Sequence, residues 1–409
     1  MTGRAVSARW AFACFVALGL YAGAWGALIP DIKRQIGASD AELGFALLAA
    51  AAGTIPGTLI CGRLWRRYGW WLLPVTAIAS GVALVGPMFA TSPLTLAIAL
   101  LFTGATSGML DTAMNAAVSE TESIRGTRLM YGAHALFSLG GLAAFPTGVA
   151  RQLGAQPIHV LSVVGLAYII IGLGSIRSAR QASSIHHSVA AELVPDAPQT
   201  RRRFLPGALF ALMILCAMSF FIEDASTTWS ALHLEQTLFA SPALGGAAPG
   251  TFALFMFVGR LLGQRIGARF TERAMAVGGS VAAALGLAIF GLAPSPLIAL
   301  ASVALAGAGI ALVAPALYGR AGRAAVSRDR AAAIARLTSF GYTGFLVGPP
   351  IVGATAEAIG LRGAFLAVAA LAALLAIGGY FALRSGGPST DRETNTLAEG
   401  EELLGTARG

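Results

Sequence analysis

Charge is what this chain has least of. Asp, Glu, Lys and Arg make up 11% of its 409 residues, where an ordinary soluble protein carries about 25%. With 56% hydrophobic residues and a mean hydropathy of +0.73, a water-soluble fold would need an implausibly large core. Cysteine is also scarce. The three present, Cys14, Cys61 and Cys216, all lie inside apolar runs, which points to buried thiols acting as small hydrophobes and away from a disulfide framework or a thiolate metal site. Short segments of alternating polarity, the mark of a membrane β-barrel, are missing. So are a nucleotide-cradling glycine loop, a zinc-helix motif and a nucleophile elbow, which leaves an enzyme, a cofactor or a bound metal without support.

What the chain does have is long apolar runs. A bilayer crossing needs roughly 20 mostly apolar residues, and the sequence predicts twelve crossings: 10–30, 42–63, 70–90, 93–118, 129–150, 157–176, 204–232, 243–265, 274–292, 296–318, 331–356 and 364–383. The first resembles a signal peptide, with Arg4 and Arg9 ahead of an apolar core, but it is long enough to span and reads as a retained helix. The fold class is therefore an all-α polytopic membrane protein. Two six-helix bundles, 1–176 and 204–384, are expected to flank a polar Ser- and Arg-rich linker, 177–203, which holds His186 and His187 as solvated residues. A disordered polar tail, 385–409, is expected to follow.

The formal charge of +9 and pI near 10.2 would suit nucleic acid were it not for where the charges fall. Counted by loop with the N-terminus inside, 24 of the 28 basic residues lie on one side. Lys33, Arg34, Arg151 and Arg362 lie on the other. Such a bias sets topology, with both termini cytoplasmic, and implies a bilayer rather than a nucleic acid as partner.

The halves repeat. Trp25-Gly-Ala-Leu28 recurs as Trp229-Ser-Ala-Leu232, 204 residues later, and Gly57, Arg67 and Tyr68 recur as Gly259, Arg269 and Phe270. Gly104, Phe137, Gly141 and Pro146 recur 203 residues on as Gly307, Phe340, Gly344 and Pro349. Six crossings per half make the repeat parallel, a known transporter architecture. The polar groups do not repeat: Asp111 gives way to Ala314 and Asn115 to Tyr318.

Ionisable groups at membrane depth are functional candidates by default. Asp111, Asn115 and His134 fall at comparable depth toward the inner ends of helices 4 and 5, where Asp111 and His134 are placed to pair. Glu223 and Asp224 lie on helix 7, about 100° apart around its axis, with Glu223 the better candidate to face a central cavity. Such carboxylates suit proton coupling. Trp25 and Trp229 occupy equivalent places near the outer mouth, to stack on solute or to sit in an interfacial belt. Gly53/Gly57, Gly104/Gly108, Gly259/Gly263 and Gly344/Gly348 have the spacing of close helix packing.

The turn Gly62-Arg-Leu-Trp-Arg66-Arg67-Tyr-Gly69 resembles the signature loop of the major facilitator superfamily, and twelve spans in two halves fit that family over the whole chain. Gly108-Met-Leu-Asp-Thr-Ala-Met-Asn115, His134-Ala-Leu-Phe-Ser-Leu-Gly-Gly141, Phe220-Phe-Ile-Glu223 and Gly344-Phe-Leu-Val-Gly-Pro-Pro350 are similar to one branch, bacterial permeases akin to rhizopine transporters. In the family the loop usually carries an Asp that helps latch the inward-closed state. Arg66 stands in its place here, so a latch needs other partners, such as Arg67 with helix-end carbonyls. The resemblance implies a monomeric inner-membrane secondary transporter of a small, sugar-like organic solute, proton-coupled and working by alternating access. The alternatives are a drug or metabolite efflux antiporter and a non-transporting sensor of the same fold.

Overall fold

The structure is a computed structural model, and it describes residues 8–125, 129–192, 206–266, 269–324 and 330–384. Thirteen α-helices follow one another: α1 Arg9–Ile36, α2 Asp40–Tyr68, α3 Leu72–Ala83, α4 Pro93–Arg125, α5 Met130–Gly141, α6 Ala144–Gln152, α7 Pro157–Glu192, α8 Pro206–Leu232, α9 Pro242–Ile266, α10 Glu272–Leu292, α11 Pro296–Ile310, α12 Val313–Ala324 and α13 Arg330–Ala382. Among the described residues, ten runs are long and apolar enough to cross a bilayer. Two of them are far too long for a single crossing. At 1.5 Å per residue, Asp40–Phe89 (50 residues) and Arg336–Ala382 (47 residues) would each reach roughly 70–75 Å, against a hydrocarbon core of about 30 Å. Each folds back at a glycine, Gly69 (φ 50°, ψ −130°) and Gly360 (φ 76°, ψ 164°), in conformations that a Cβ would strain. Ten runs plus these two reversals make twelve crossings.

Several helices depart from their expected bounds, each for a local reason. The first passes through Pro30 and continues to Ile36, so Asp31, Lys33 and Arg34 ride on a helix and not in a loop. Gly37, at φ 62°, ends it. The second runs to Tyr68, beyond the expected end at 63, with Arg66 and Arg67 in a last turn where cations oppose the helix dipole. The fifth crossing is split into α5 and α6, because Pro146 has no N–H for the carbonyl of Leu142. Pro315 does the same to Ala311, between α11 and α12. The sixth crossing stays helical through Glu192, well into the expected linker, whose remaining residues lie outside the described ones, as does the tail 385–409.

The glycine pairs pack as expected. A Cβ on Gly53 or Gly57 would collide with α4 backbone at Leu101 and Ala105, and one on Gly104 with the Ala50 carbonyl of α2. Gly344 meets the Ala217 carbonyl of α8 in the same way. With no hydrophobic drive between helices in lipid, such backbone approach supplies the van der Waals contact that holds each half together.

Candidate functional site

The two halves, α1–α7 and α8–α13, meet most closely at one end of the molecule. There α2 lies against α13 and α6 against α9. Gly44 abuts the Pro349 carbonyl, and the Cα atoms of Gly148 and Gly246 approach closely enough to leave no room for a side chain between them. Over this seam sits an ionic clasp. Arg151 of α6, its side chain 1% exposed, donates to Asp31 of α1 through Nε (2.5 Å to Oδ2) and Nη2 (2.9 Å to Oδ1). The same guanidinium reaches across the seam to Glu235, just past α8, through Nη1 (2.6 Å) and Nη2 (3.1 Å). One buried fork therefore holds two carboxylates from opposite halves, a geometry available to arginine but not to lysine. Arg34 pairs with Asp31 and lies 3.7 Å from Glu235, but it is 59% exposed and contributes correspondingly less.

Two further bonds cross the seam at this end. Lys33 reaches Gln236 (3.3 Å) while pairing with Asp40 (2.5 Å). Ser39 and Glu42 form a capping box that fixes the start of α2. The first helical N–H, that of Asp40, then donates to Glu357 of α13 at 3.0 Å, so a carboxylate of one half caps a helix N-terminus of the other.

Away from the clasp the two halves leave polar side chains exposed, His134 on α5 and Tyr342 on α13. Arg260 of α9 stands 3.6 Å from Glu223 of α8, the two side chains 39% and 23% exposed. Its Nη1 lies 3.5 Å from Ser138 Oγ of α5, across the seam. Charge counting treats Arg260 as a cytoplasmic residue; it lies inside α9 beside the seam, and setting it aside leaves the one-sided bias intact. Tyr342, half-exposed, joins Phe220 and Phe345 in an aromatic cluster, with Phe220 and Phe345 stacked at 4.9 Å.

The sequence-predicted residues separate into groups. Asp111 and His134 are not paired. Asn115 Nδ2 donates to the Asp111 carbonyl (2.8 Å) and carboxylate (3.1 Å), while the exposed His134 ring meets Phe15 edge-on at 5.2 Å. Asp111 and Asn115 are one turn apart on α4, so the local partner is reached before one on α5. Glu223 faces Arg260. Asp224 turns instead toward α13, where its carboxylate fills the space left by Gly348 and accepts from Thr228 Oγ1 at 3.3 Å. Trp25 is half-buried beside Tyr21, ring centroids 5.8 Å apart. Its counterpart Trp229 is fully buried against α13 near Gly353 and offers no face to a solute in this conformation. Gly62 is exposed, with open space where its Cβ would be, and Arg66 and Arg67 are exposed, with Arg67 lying over the Tyr68 ring. These loop residues make no ion pair to the other half among the described residues.

The clasp itself is absent from the candidates drawn from sequence, although a signal for it exists. The offset that relates Trp25 to Trp229, 204 residues, also relates Asp31 to Glu235. Equivalent carboxylates on the two halves would converge on a pseudo-symmetry axis and need a shared cation there. Among the described residues no group of His, Cys, Asp and Glu is arranged to hold a metal ion.

Comparison with known proteins agrees with this architecture. The family model of the Major Facilitator Superfamily matches residues 209–406. An uncharacterised MFS-type transporter of Yersinia pestis is 32% identical over 370 residues, covering 90% of this chain and 92% of that protein. The membrane protein MosC of Rhizobium meliloti is 30% identical over 371 residues, 89% of this chain and 87% of its own length. Among solved structures, the inward open conformation of the xylose transporter XylE from E. coli superposes with a TM-score of 0.72 over 95% of this chain and 98% of that one, at 14% identity.

Proposed function

The chain belongs to the major facilitator superfamily, and we propose that it is a proton-coupled transporter of a small organic solute, sugar-like or related, working as a monomer by rocking of its two halves. That it is a multi-pass membrane transporter for a small molecule follows from the family; the solute class, coupling, monomeric state and rocking mechanism are the proposal. The observation that carries the mechanism is the clasp. A buried arginine bound to a carboxylate of each half closes one end of the seam, while Glu223, Arg260, His134 and Tyr342 line its looser part. The basic bias assigns the loose end to the cytoplasm and both termini with it, so the conformation is inward-facing and the clasp is the outer gate.

Coupling to protons rests on the carboxylates. Glu223 holds Arg260 at 3.6 Å, a loose contact that a bound solute or a proton could each loosen further, and Asp111 sits on the opposite wall, hydrogen-bonded to Asn115. The aromatic cluster of Phe220, Tyr342 and Phe345 offers a face for a ring-shaped solute beside these polar groups, which favours a hydroxylated ring over a flexible aliphatic drug.

The test is ligand-induced thermal stabilisation of the detergent-purified protein over polyols, sugars, amino acids and drugs at two pH values. A ligand that binds only the folded state must raise its stability by mass action. A hydroxylated solute that stabilises the wild type, and stabilises Glu223→Gln or Asp111→Asn less, supports the reading. Stabilisation by drugs alone would overturn the solute class, and no stabilisation by any compound would favour a sensor.

A further inference from the structure

Immediately after α8 the chain makes a π-helical turn, His233–Thr237. Such turns are rare, and they mark places where a helix is reshaped to aim a side chain. This one carries Glu235, the far-half carboxylate of the clasp, and Gln236, the partner of Lys33. Its first residue, His233, is completely buried. Nε2–H of that ring donates to the Phe290 carbonyl at the end of α10, at 3.1 Å. The ring also packs at 4.8 Å from the Phe290 ring and 5.2 Å from Phe365, on the limb of α13 that follows Gly360. Those two phenyl rings meet edge-on at 4.6 Å. A polar ring enclosed in this way, with one strong bond to a helix-end carbonyl, has its orientation fixed from two sides.

We propose that His233 is the positioning residue of the clasp: by anchoring the π turn to α10 and the second limb of α13, it holds Glu235 within reach of Arg151. The inference rests on the clasp being the outer gate. Three features support it. Glu235 lies two residues from His233, inside the same five-residue turn, so little chain separates anchor from effector. Leu234, between them, has its carbonyl engaged by the N–H groups of both Leu238 and Ala240 (3.2 and 3.0 Å), which closes the turn on itself and transmits the anchor's position. Gly245 of α9, finally, leaves room for the Glu235 side chain, which a Cβ there would strike. The carboxylate thus has one lane to Arg151, and the turn must be held in register for Glu235 to use it. Movement of α10 or of the second limb of α13 would then be felt at the gate through His233.

The experiment measures spin-label distances between Leu153→Cys and Phe239→Cys, exposed residues on opposite halves at the clasp end, in five proteins: the labelled parent, His233→Phe, His233→Gln, Glu235→Gln and His233→Phe with Glu235→Gln. Phe keeps an aromatic body among Phe290 and Phe365 but removes the donor. Gln places an amide N–H near the position of Nε2. Losing one such bond should raise the ratio of open to closed clasp about tenfold in His233→Phe, and Gln should restore the parental ratio. In the Glu235→Gln background His233→Phe should add nothing, since the group it positions is already disabled. Should His233→Phe not fold, His233→Asn, whose shorter amide falls short of Phe290, replaces it. An equal effect of His233→Phe with and without Glu235 would overturn the proposal by making His233 a general packing residue, and so would parental distances in the folded single variant. If Glu235→Gln alone leaves the distances unchanged, the gate reading fails instead, and the two failures are thereby told apart.

Discussion

Replacing Arg151 by Gln removes a buried cation shared between the halves, and the size of the effect can be worked from the contacts. Four N–H···O bonds disappear, two to Asp31 and two to Glu235. Bonds to charged groups contribute about 1.5–3 kcal/mol each, but the full sum is not the shift in conformation. In the outward-open state Arg151 would keep Asp31, which belongs to its own half, and only the Glu235 side would be exchanged for water. Breaking a buried pair by removing one partner costs about 3–5 kcal/mol. Here the low end applies, because Arg34 already touches Asp31 and approaches Glu235 and can swing inward to screen them. About 3 kcal/mol corresponds to roughly a 150-fold shift of the closed-to-open ratio. Spin labels at positions 153 and 239 would read this as a second, longer distance becoming the major one. Arg34→Gln is the internal control: being 59% exposed, it should move the ratio by less than about fivefold, the scale of a surface pair. Equal effects of the two substitutions, or no change with Arg151→Gln in folded protein, would refute the assignment of the clasp to Arg151.

Other outcomes follow from the same geometry. Glu223→Gln and Asp111→Asn should each reduce pH-gradient-driven flux in liposomes more than they weaken solute binding measured by thermal shift; wild-type flux in both would remove these carboxylates from the coupling path. Gly344→Ala drives a methyl into the Ala217 carbonyl and should lower stability by about 1–3 kcal/mol, as overpacking does, seen as a reduced unfolding temperature in detergent. Gly62→Ala faces open space on the exposed end of α2 and should leave the unfolding temperature the same or higher, since alanine is the better helix former.

How much of this the residues announce depends on what kind of signal carries it. Twelve crossings, two halves and the close-packing glycines are legible because each is written in long runs or in short fixed spacings that the helix period translates directly into contacts. The breaks at Pro146 and Pro315 are less plain: the missing N–H is written in the sequence, but Pro30, Pro56 and Pro249 lack it too and lie inside unbroken helices. The extension of α1 past Pro30 is hidden, because Asp31, Lys33 and Arg34 have the look of a loop when counted as charges; on a helix they become one face of the clasp. Arg151 and Arg260 are hidden for the same reason. A cation at a helix end and one inside a seam have the same letter, and only the arrival of Asp31, Glu235 or Glu223 beside them separates topology from mechanism. The expected pair of Asp111 and His134 assumes that equal depth means contact. Depth is fixed by the rise per residue, but the facing of two helices is not, and Asn115, one turn away, takes the carboxylate first.

The account stands on the clasp having to open for solute to pass, and that can be tested on the full-length protein. Lys33 and Gln236 touch across the seam at 3.3 Å, so Lys33→Cys with Gln236→Cys can be joined by a short, reducible bifunctional thiol reagent. Flux of a stabilising solute from the panel is then followed in liposomes before cross-linking, after it and after reduction. Alternating access through this gate predicts that cross-linking abolishes flux while the solute still stabilises the protein, and that reduction restores flux. Undiminished flux through the cross-linked protein would contradict it.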